Sequence, residues 1–338
     1  MDICELIAKM NDYISPCGCE RKFLEFIKTE AEKYANHTYY DMMGNLICVL
    51  NRGGKDRVMV CAHSDTSGFI INYIDENGFL HVCPLGALKG DYFIGRLVKF
   101  NNGVMGILNR IKDNNKPNDN EGYFVDIGVS SKEEALEFIN IGEYGSIEPY
   151  SFVTANGGYL AGAFLDNRVC VAMQLELISE LSKAKDLNNE IYFVFSVQGE
   201  MGARGAKTAA YHSEPKYALV LDCIQACGTP DCNNRGAVMG KGVCLDVLEK
   251  GFAANKIMTE FLSKTAVENK IDYIKVITES ESSDASSIHL SGAGVYTSRV
   301  SAALRYNHTL GEILSLNDYN CAKNLVFQSL LTGFDFVG

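Results

Sequence analysis

The run Val58-Met59-Val60-Cys61-Ala62 is apolar at every position, with no alternation of inward and outward residues. A short stretch of that kind suits a central strand covered on both faces, as in a parallel sheet between helical layers. Segments 45–50, 191–197, 217–221, 274–277 and 295–299 are further strand candidates. Between them, residues 167–183 carry Val171, Leu175, Ile178 and Leu181 on one amphipathic stripe, and 316–331 reads as a closing helix. Two helices open the chain, with apolar residues at Ile7, Met10 and Ile14 and then at Phe23, Phe26 and Ile27, broken at Ser15-Pro16-Cys17-Gly18. The expected fold is α/β, with a mostly parallel central sheet flanked by helices.

From about residue 66 to 158 the texture changes. Asn77-Gly78 and Asn102-Gly103 each separate two apolar runs, and Asn-Gly between such runs is the strongest short hairpin signal because both residues tolerate positive φ. A polar loop at 112–121 and a strand at 123–127 follow. This segment is predicted to be a small β domain inserted into the α/β chain, which divides it into 1–65 with 159–338 and 66–158.

Composition narrows the function. With 31 basic and 42 acidic residues the net charge is −11, and there is no basic cluster to displace counterions from a nucleic acid. No apolar run approaches the roughly 18 residues a spanning helix needs. The acidic start, Met1-Asp2-Ile3-Cys4-Glu5, lacks the basic n-region of a secretory signal. A cytoplasmic protein with no membrane or nucleic-acid partner is expected. Twelve cysteines then read as free thiols. Neither Cys17/Cys19 nor Cys223/Cys227/Cys232 has the paired spacing of a structural zinc site.

Chemistry is concentrated at strand ends. His63 and Asp65 follow the strand ending at Ala62, Glu200 follows 191–197, Asp222 caps 217–221, and His308 follows the segment containing 295–299. Asp166 precedes the helix that starts at Asn167. Each alone reads as a turn, cap or surface residue. Together they matter, because ligands of open α/β sheets gather beyond the carboxyl ends of the strands. Imidazole and carboxylate suit zinc, cobalt or manganese, and a shared carboxylate can bridge two ions. His37, His81 and His212 have no acidic partner at ligand spacing, and His289 reads as a packed or hydrogen-bonded residue. No phosphate loop or nucleophile elbow is present.

These residues also carry a family resemblance. Ala62-His63-Ser64-Asp65 with Gly68-Phe69, Phe164-Leu165-Asp166-Asn167-Arg168, and Gln198-Gly199-Glu200-Met201-Gly202 with Arg204-Gly205-Ala206 resemble the tetrahedral (TET-type) aminopeptidases. Members of that family of dinuclear metallopeptidases are often labelled glucanase-like. Ser283-Asp284-Ala285 with Ile288-His289, and Arg305-Tyr306-Asn307-His308, match its closing motifs, and Val125-Asp126-Ile127-Gly128 resembles its inserted barrel-like domain. The resemblance implies a zinc-peptidase-like fold and hydrolysis of short peptides from the N-terminus with two divalent ions, zinc or cobalt, with manganese as a further candidate. His63 and Asp222 would hold one ion, Glu200 and His308 the other, and Asp166 would bridge them. Asp65 would orient His63 through its second ring nitrogen. It also implies a homo-oligomer, from dimer to dodecamer, assembled through the insert.

One departure bears on catalysis. Where the family carries a general-base glutamate, this chain has Gly199, which cannot move a proton; general acid–base catalysis is worth about 10²–10⁴-fold. Impaired or altered activity is expected, with Glu279, Glu281 or Asp284 as substitute carboxylates, and Gly199→Glu is expected to raise turnover at least about tenfold. Thr66-Ser67 also replaces the family's usual Glu-Val. The alternatives are a non-catalytic homologue that keeps the metals and binds peptides and, following the label, a glycoside hydrolase, which would need a spaced carboxylate pair rather than metals.

Overall fold

A computed structural model describes residues 2–86, 90–111, 122–230 and 236–334. The polar loop at 112–121 and Cys232 lie outside the described residues. Four strands form the parallel centre of the main sheet, in the order Glu190–Ser196, Arg57–His63, Tyr217–Cys227 and Tyr296–Arg305. Antiparallel strands extend both sides: Leu46–Leu50 and His37–Tyr40 at one edge, Glu312–Ser315, Tyr159–Gly162 and Ser151–Val153 at the other. The parallel centre matches the apolar runs, and the sheet as a whole is mixed.

Alternation along Arg57–His63 shows why that run is apolar throughout. Val58, Val60 and Ala62 join the core under the helix Leu165–Leu181, whereas Met59 and Cys61 join the core under Arg204–Ser213 and Ala285–Ile288. The helix Leu165–Leu181 departs from its amphipathic reading, being buried at every residue except Glu180. It lies between the sheet and the helices Ile3–Met10, Arg21–Ala31 and Leu316–Thr332, so its polar side also needs partners. Gln174 donates to Val194 O at 3.1 Å, and Lys323 pairs with Glu176 at 2.9 Å.

The inserted segment closes into a six-stranded barrel: Gly68–Ile74, Leu80–Leu85, Tyr123–Asp126, Met105–Arg110, Leu97–Phe100, Tyr144–Ile147 and back to the first. Phe69, Ile71, Leu80, Val98, Phe100 and Val125 fill it. Gly78 turns the first hairpin at φ +86°, where an added Cβ would stand 2.6 Å from Val129. Ser151–Val153, within the 66–158 segment, pairs with Tyr159–Gly162 in the main sheet rather than with the barrel. Among the described residues, no helix is long and apolar enough to cross a membrane.

Candidate metal centre

The carboxyl ends of the parallel strands converge on one cavity of about 470 Å³ whose lining includes His63, Asp166, Glu200, Asp222 and His308. His63 is the last residue of Arg57–His63 and lies beside Ser196, which ends the neighbouring strand. Glu200 follows that neighbour in a turn, and His308 stands three residues beyond Tyr296–Arg305. Asp222 does not cap its strand: Tyr217–Cys227 runs straight through it, because Tyr296–Arg305 continues to pair alongside. Gln198, Tyr306 and His308 have positive φ (+56°, +60° and +62°), as does Phe164 (+61°) two residues before Asp166. Each such non-glycine conformation costs on the order of 1–3 kcal/mol, and here they cluster where the chain must aim ligands inward.

His63 Nε2 lies 3.5 Å from Asp166 Oδ1 and 3.9 Å from Asp222 Oδ1, and ligand atoms of the three residues fall within 4.8 Å of one another. On its other side, His63 Nδ1 is 3.1 Å from the Asp65 carbonyl oxygen and 3.5 Å from its carboxylate. A carbonyl can only accept, so Nδ1 carries a proton there and Nε2 faces the carboxylates. The Asp65 carboxylate, besides its approach to His63, accepts from Gly199 N–H at 2.7 Å and Glu200 N–H at 3.0 Å, holding that turn in place. Asp166, Glu200 and His308 also line a second, smaller cavity with Ser67, whose hydroxyl is 3.4 Å from Glu200 Oε2. Asp166 thus lines both cavities.

Charge explains what such a cluster asks for. Burial pushes the Asp222 carboxyl up to about 8, against the pull of Arg299. Burial also opposes charge on His63, yet contacts with Asp166 and Asp65 and the charges of Asp65 and Asp222 hold its imidazolium well above the ordinary value. Asp166 is held to about 2 despite burial, through His63 and His308. Its Oδ1 is buried and, apart from the 3.5 Å approach of His63 Nε2, has no hydrogen bond. Buried carboxylates gathered around an unsatisfied oxygen call for positive charge, and an oxygen and imidazole donor set suits divalent cations.

Several supporting residues escaped the sequence reading. Glu312, four residues after His308, accepts from His308 N–H at 3.0 Å and from Asp166 N–H at 3.1 Å, tying two candidate ligands together. Asn167 donates to Leu221 O at 3.1 Å, beside Asp222. Arg299, 2% exposed, reaches Glu249 at 2.8 Å, Asp246 at 3.6 Å and Asp222 at 3.7 Å. The one legible hint was a charged residue inside a strand.

Among the proposed substitutes, Glu281 and Asp284 line the cavity, while Glu279 is exposed and off its lining. Asp284 is already engaged by Ser196 Oγ at 2.6 Å. His289 is hydrogen-bonded, to Ala285 O at 2.8 Å. His81 does have an acidic partner, Asp75 at 3.2 Å, brought near by the hairpin. Gly199 lies against His63: a Cβ there would stand 2.3 Å from His63 Cβ and 2.6 Å from its Cγ. That space argues against the gain expected of Gly199→Glu.

A profile of the family described as M42 glutamyl aminopeptidase matches residues 44–325. A protein of Acetivibrio thermocellus described as a putative aminopeptidase is 33% identical over 332 residues, covering 97% of this chain and 98% of the relative. A solved TET aminopeptidase from a marine sediment Thaumarchaeota archaeon superposes with a TM-score of 0.92 at 27% identity, covering 99% and 97% of the two chains. The TET1 peptidase of Pyrococcus horikoshii, described as assembling into a tetrahedron or a large octahedral shell, has a TM-score of 0.85 at 27% identity, covering 97% and 98%.

Proposed function

Because the chain belongs to the M42 glutamyl aminopeptidase family, we propose that it is a metal-dependent aminopeptidase acting on short peptides. His63, Asp222, Glu200, His308 and Asp166 are the residues that would hold the two divalent cations. When bound, such ions supply Lewis-acid chemistry, polarising the scissile carbonyl and making water more acidic. Zinc, cobalt and manganese all suit this donor set. The observation that carries the reading is the approach of His63, Asp166 and Asp222 ligand atoms to within 4.8 Å, with Asp166 Oδ1 buried and unsatisfied.

The chain's own residues position these groups. The Asp65 carbonyl sets the His63 tautomer, the Asp65 carboxylate fixes the Gly199-Glu200 turn, and Glu312 anchors Asp166 and His308. Position 199 has no group to move a proton, so general acid–base assistance is weakened and turnover is slow. The test is an assay on aminoacyl anilides and short peptides with zinc, cobalt or manganese, with metal content measured alongside. Slow turnover that a chelator abolishes supports the reading.

Gly199 also favours a second reading, a homologue that holds metals and binds peptides without cleaving them. Two bound ions, peptide binding and no turnover would select it.

We further assign homo-oligomeric assembly to the insert at 66–158, where Leu97, Met105, Ile107, Phe138 and Ile141 are exposed. Light scattering showing a monomer at working concentration would count against that assignment.

A further inference from the structure

Arg305 ends the strand Tyr296–Arg305 and pairs with Ile313 of Glu312–Ser315. Strand residues two apart share a face, so Arg305 follows Ala303 onto the side where Ala303 and Met239 form a small apolar core, flanked by Tyr159 and Ile313. There it lines a cavity of about 330 Å³ with Thr154, Asn156, Tyr159, Met239 and Ile313. This cavity shares no lining residue with the metal cavity. The Arg305 Nε is buried without a hydrogen bond, and among the described residues its guanidinium has no ion pair.

A half-buried guanidinium with an orphaned nitrogen calls for an acceptor, and its own chain supplies none here: no aspartate or glutamate stands on the lining. The neighbouring turn adds a second donor. Asn156 Oδ1 accepts from Gly158 N–H at 3.1 Å and from Thr154 Oγ1 at 2.9 Å, which leaves its amide NH2 without a partner among the described residues. A guanidinium takes a carboxylate through two parallel N–H···O bonds, and an apolar surround strengthens the pair. Tyr159, Met239 and Ile313 provide that surround and favour hydrocarbon next to the carboxylate. An ammonium group would meet the charge of Arg305 and no acid.

We propose that this cavity binds a monocarboxylate with an apolar body and no ammonium group, Arg305 gripping the carboxylate and Asn156 donating to it. The C-terminal end of a peptide and a short branched acid share that chemistry. The site lies apart from the metal ligands, so it stands or falls independently of the peptidase reading.

Calorimetry on the metal-loaded protein tests it with four probes: N-acetyl-L-leucine for the peptide end, 4-methylpentanoate for the plain acid, N-acetyl-L-leucinamide as the uncharged control, and inorganic phosphate. One acid or both should bind at least about tenfold more tightly than the amide, the scale of one charge-assisted pair, and the tighter acid identifies the source. Phosphate, with nothing to lay against the apolar wall, should bind more weakly than either acid. Arg305→Gln should lower acid affinity at least about tenfold. Asn156→Asp should do the same, because it sets an internal carboxylate in an exposed turn and keeps the acceptor oxygen for Gly158 and Thr154. Acid affinity that survives both variants would place the probe at a metal ion and overturn the proposal. Equal binding of acid and amide, or phosphate bound as tightly as the acids, overturns it too. So does the absence of acid binding; a changed oligomeric state of Arg305→Gln in light scattering would then give the pocket to an acidic side chain of a second copy.

Discussion

Gly199 and His63 are packed backbone against side chain, so closely that a methyl group on residue 199 would overlap the first two carbons of the imidazole side chain. The absence of a side chain at 199 is therefore tied to where the histidine sits. Gly199→Ala must push His63 away from Asp166 and Asp222 or open the turn held by Asp65. We expect it to weaken metal binding at least about tenfold, and Gly199→Glu to lose activity rather than gain it, since a displaced ligand costs more than a new base returns. Metal titration followed by calorimetry checks the first, anilide kinetics the second. Enhanced turnover in the glutamate variant would show that the turn relaxes.

Proton release should accompany metal binding. Burial lifts Asp222 to about 8 and the carboxylates hold His63 protonated well above its usual value, so at pH 7 the metal-free site keeps protons that a cation must expel. Affinity should rise as pH increases towards about 8. Calorimetric titrations in buffers of different ionisation enthalpy read the number released; a buffer-independent heat would contradict this.

Arg299→Met should destabilise the fold by about 3–5 kcal/mol, because it strands Glu249 and Asp246 as buried charges without a partner. Burial lifts Asp246 to about 6, so acid relieves part of the penalty. Urea denaturation is expected to show a larger loss at pH 8 than at pH 5. An equal loss at both would point to packing rather than charge.

Glu20 offers a separate pH signature. Burial, helped by the Asp65 charge, pushes its carboxyl up to about 7 from an ordinary 4.5. A carboxyl raised on folding stabilises fully below its unfolded value, and that contribution is lost as pH rises through about 7. Glu20→Gln keeps an oxygen for Gly18 N–H and Gln198 N–H, so it should flatten the decline between pH 4.5 and 7, worth at most about 3 kcal/mol. Parallel stability–pH curves for the two proteins would exclude this role.

Much of the architecture could be read from the chain. The uninterrupted run 58–62 demands cover on both faces, and Asn-Gly turns mark the hairpins of the barrel, because burial and turn geometry are written locally. His63, Asp166, Glu200, Asp222 and His308 stood out for the same reason: each follows, ends or adjoins a strand or helix whose pattern is local, and the structure brings all five to one cavity. Other features were decided only by tertiary contact. Glu312 joins Asp166 across 146 residues, Arg299 meets Asp222 across 77, and Gly199 meets His63 across 136. The full burial of Leu165–Leu181 likewise depends on three helices packing over it. Periodicity records which side of an element is buried, but a buried charge takes its partner, and a glycine its neighbour, from whichever distant segment the fold lays against it.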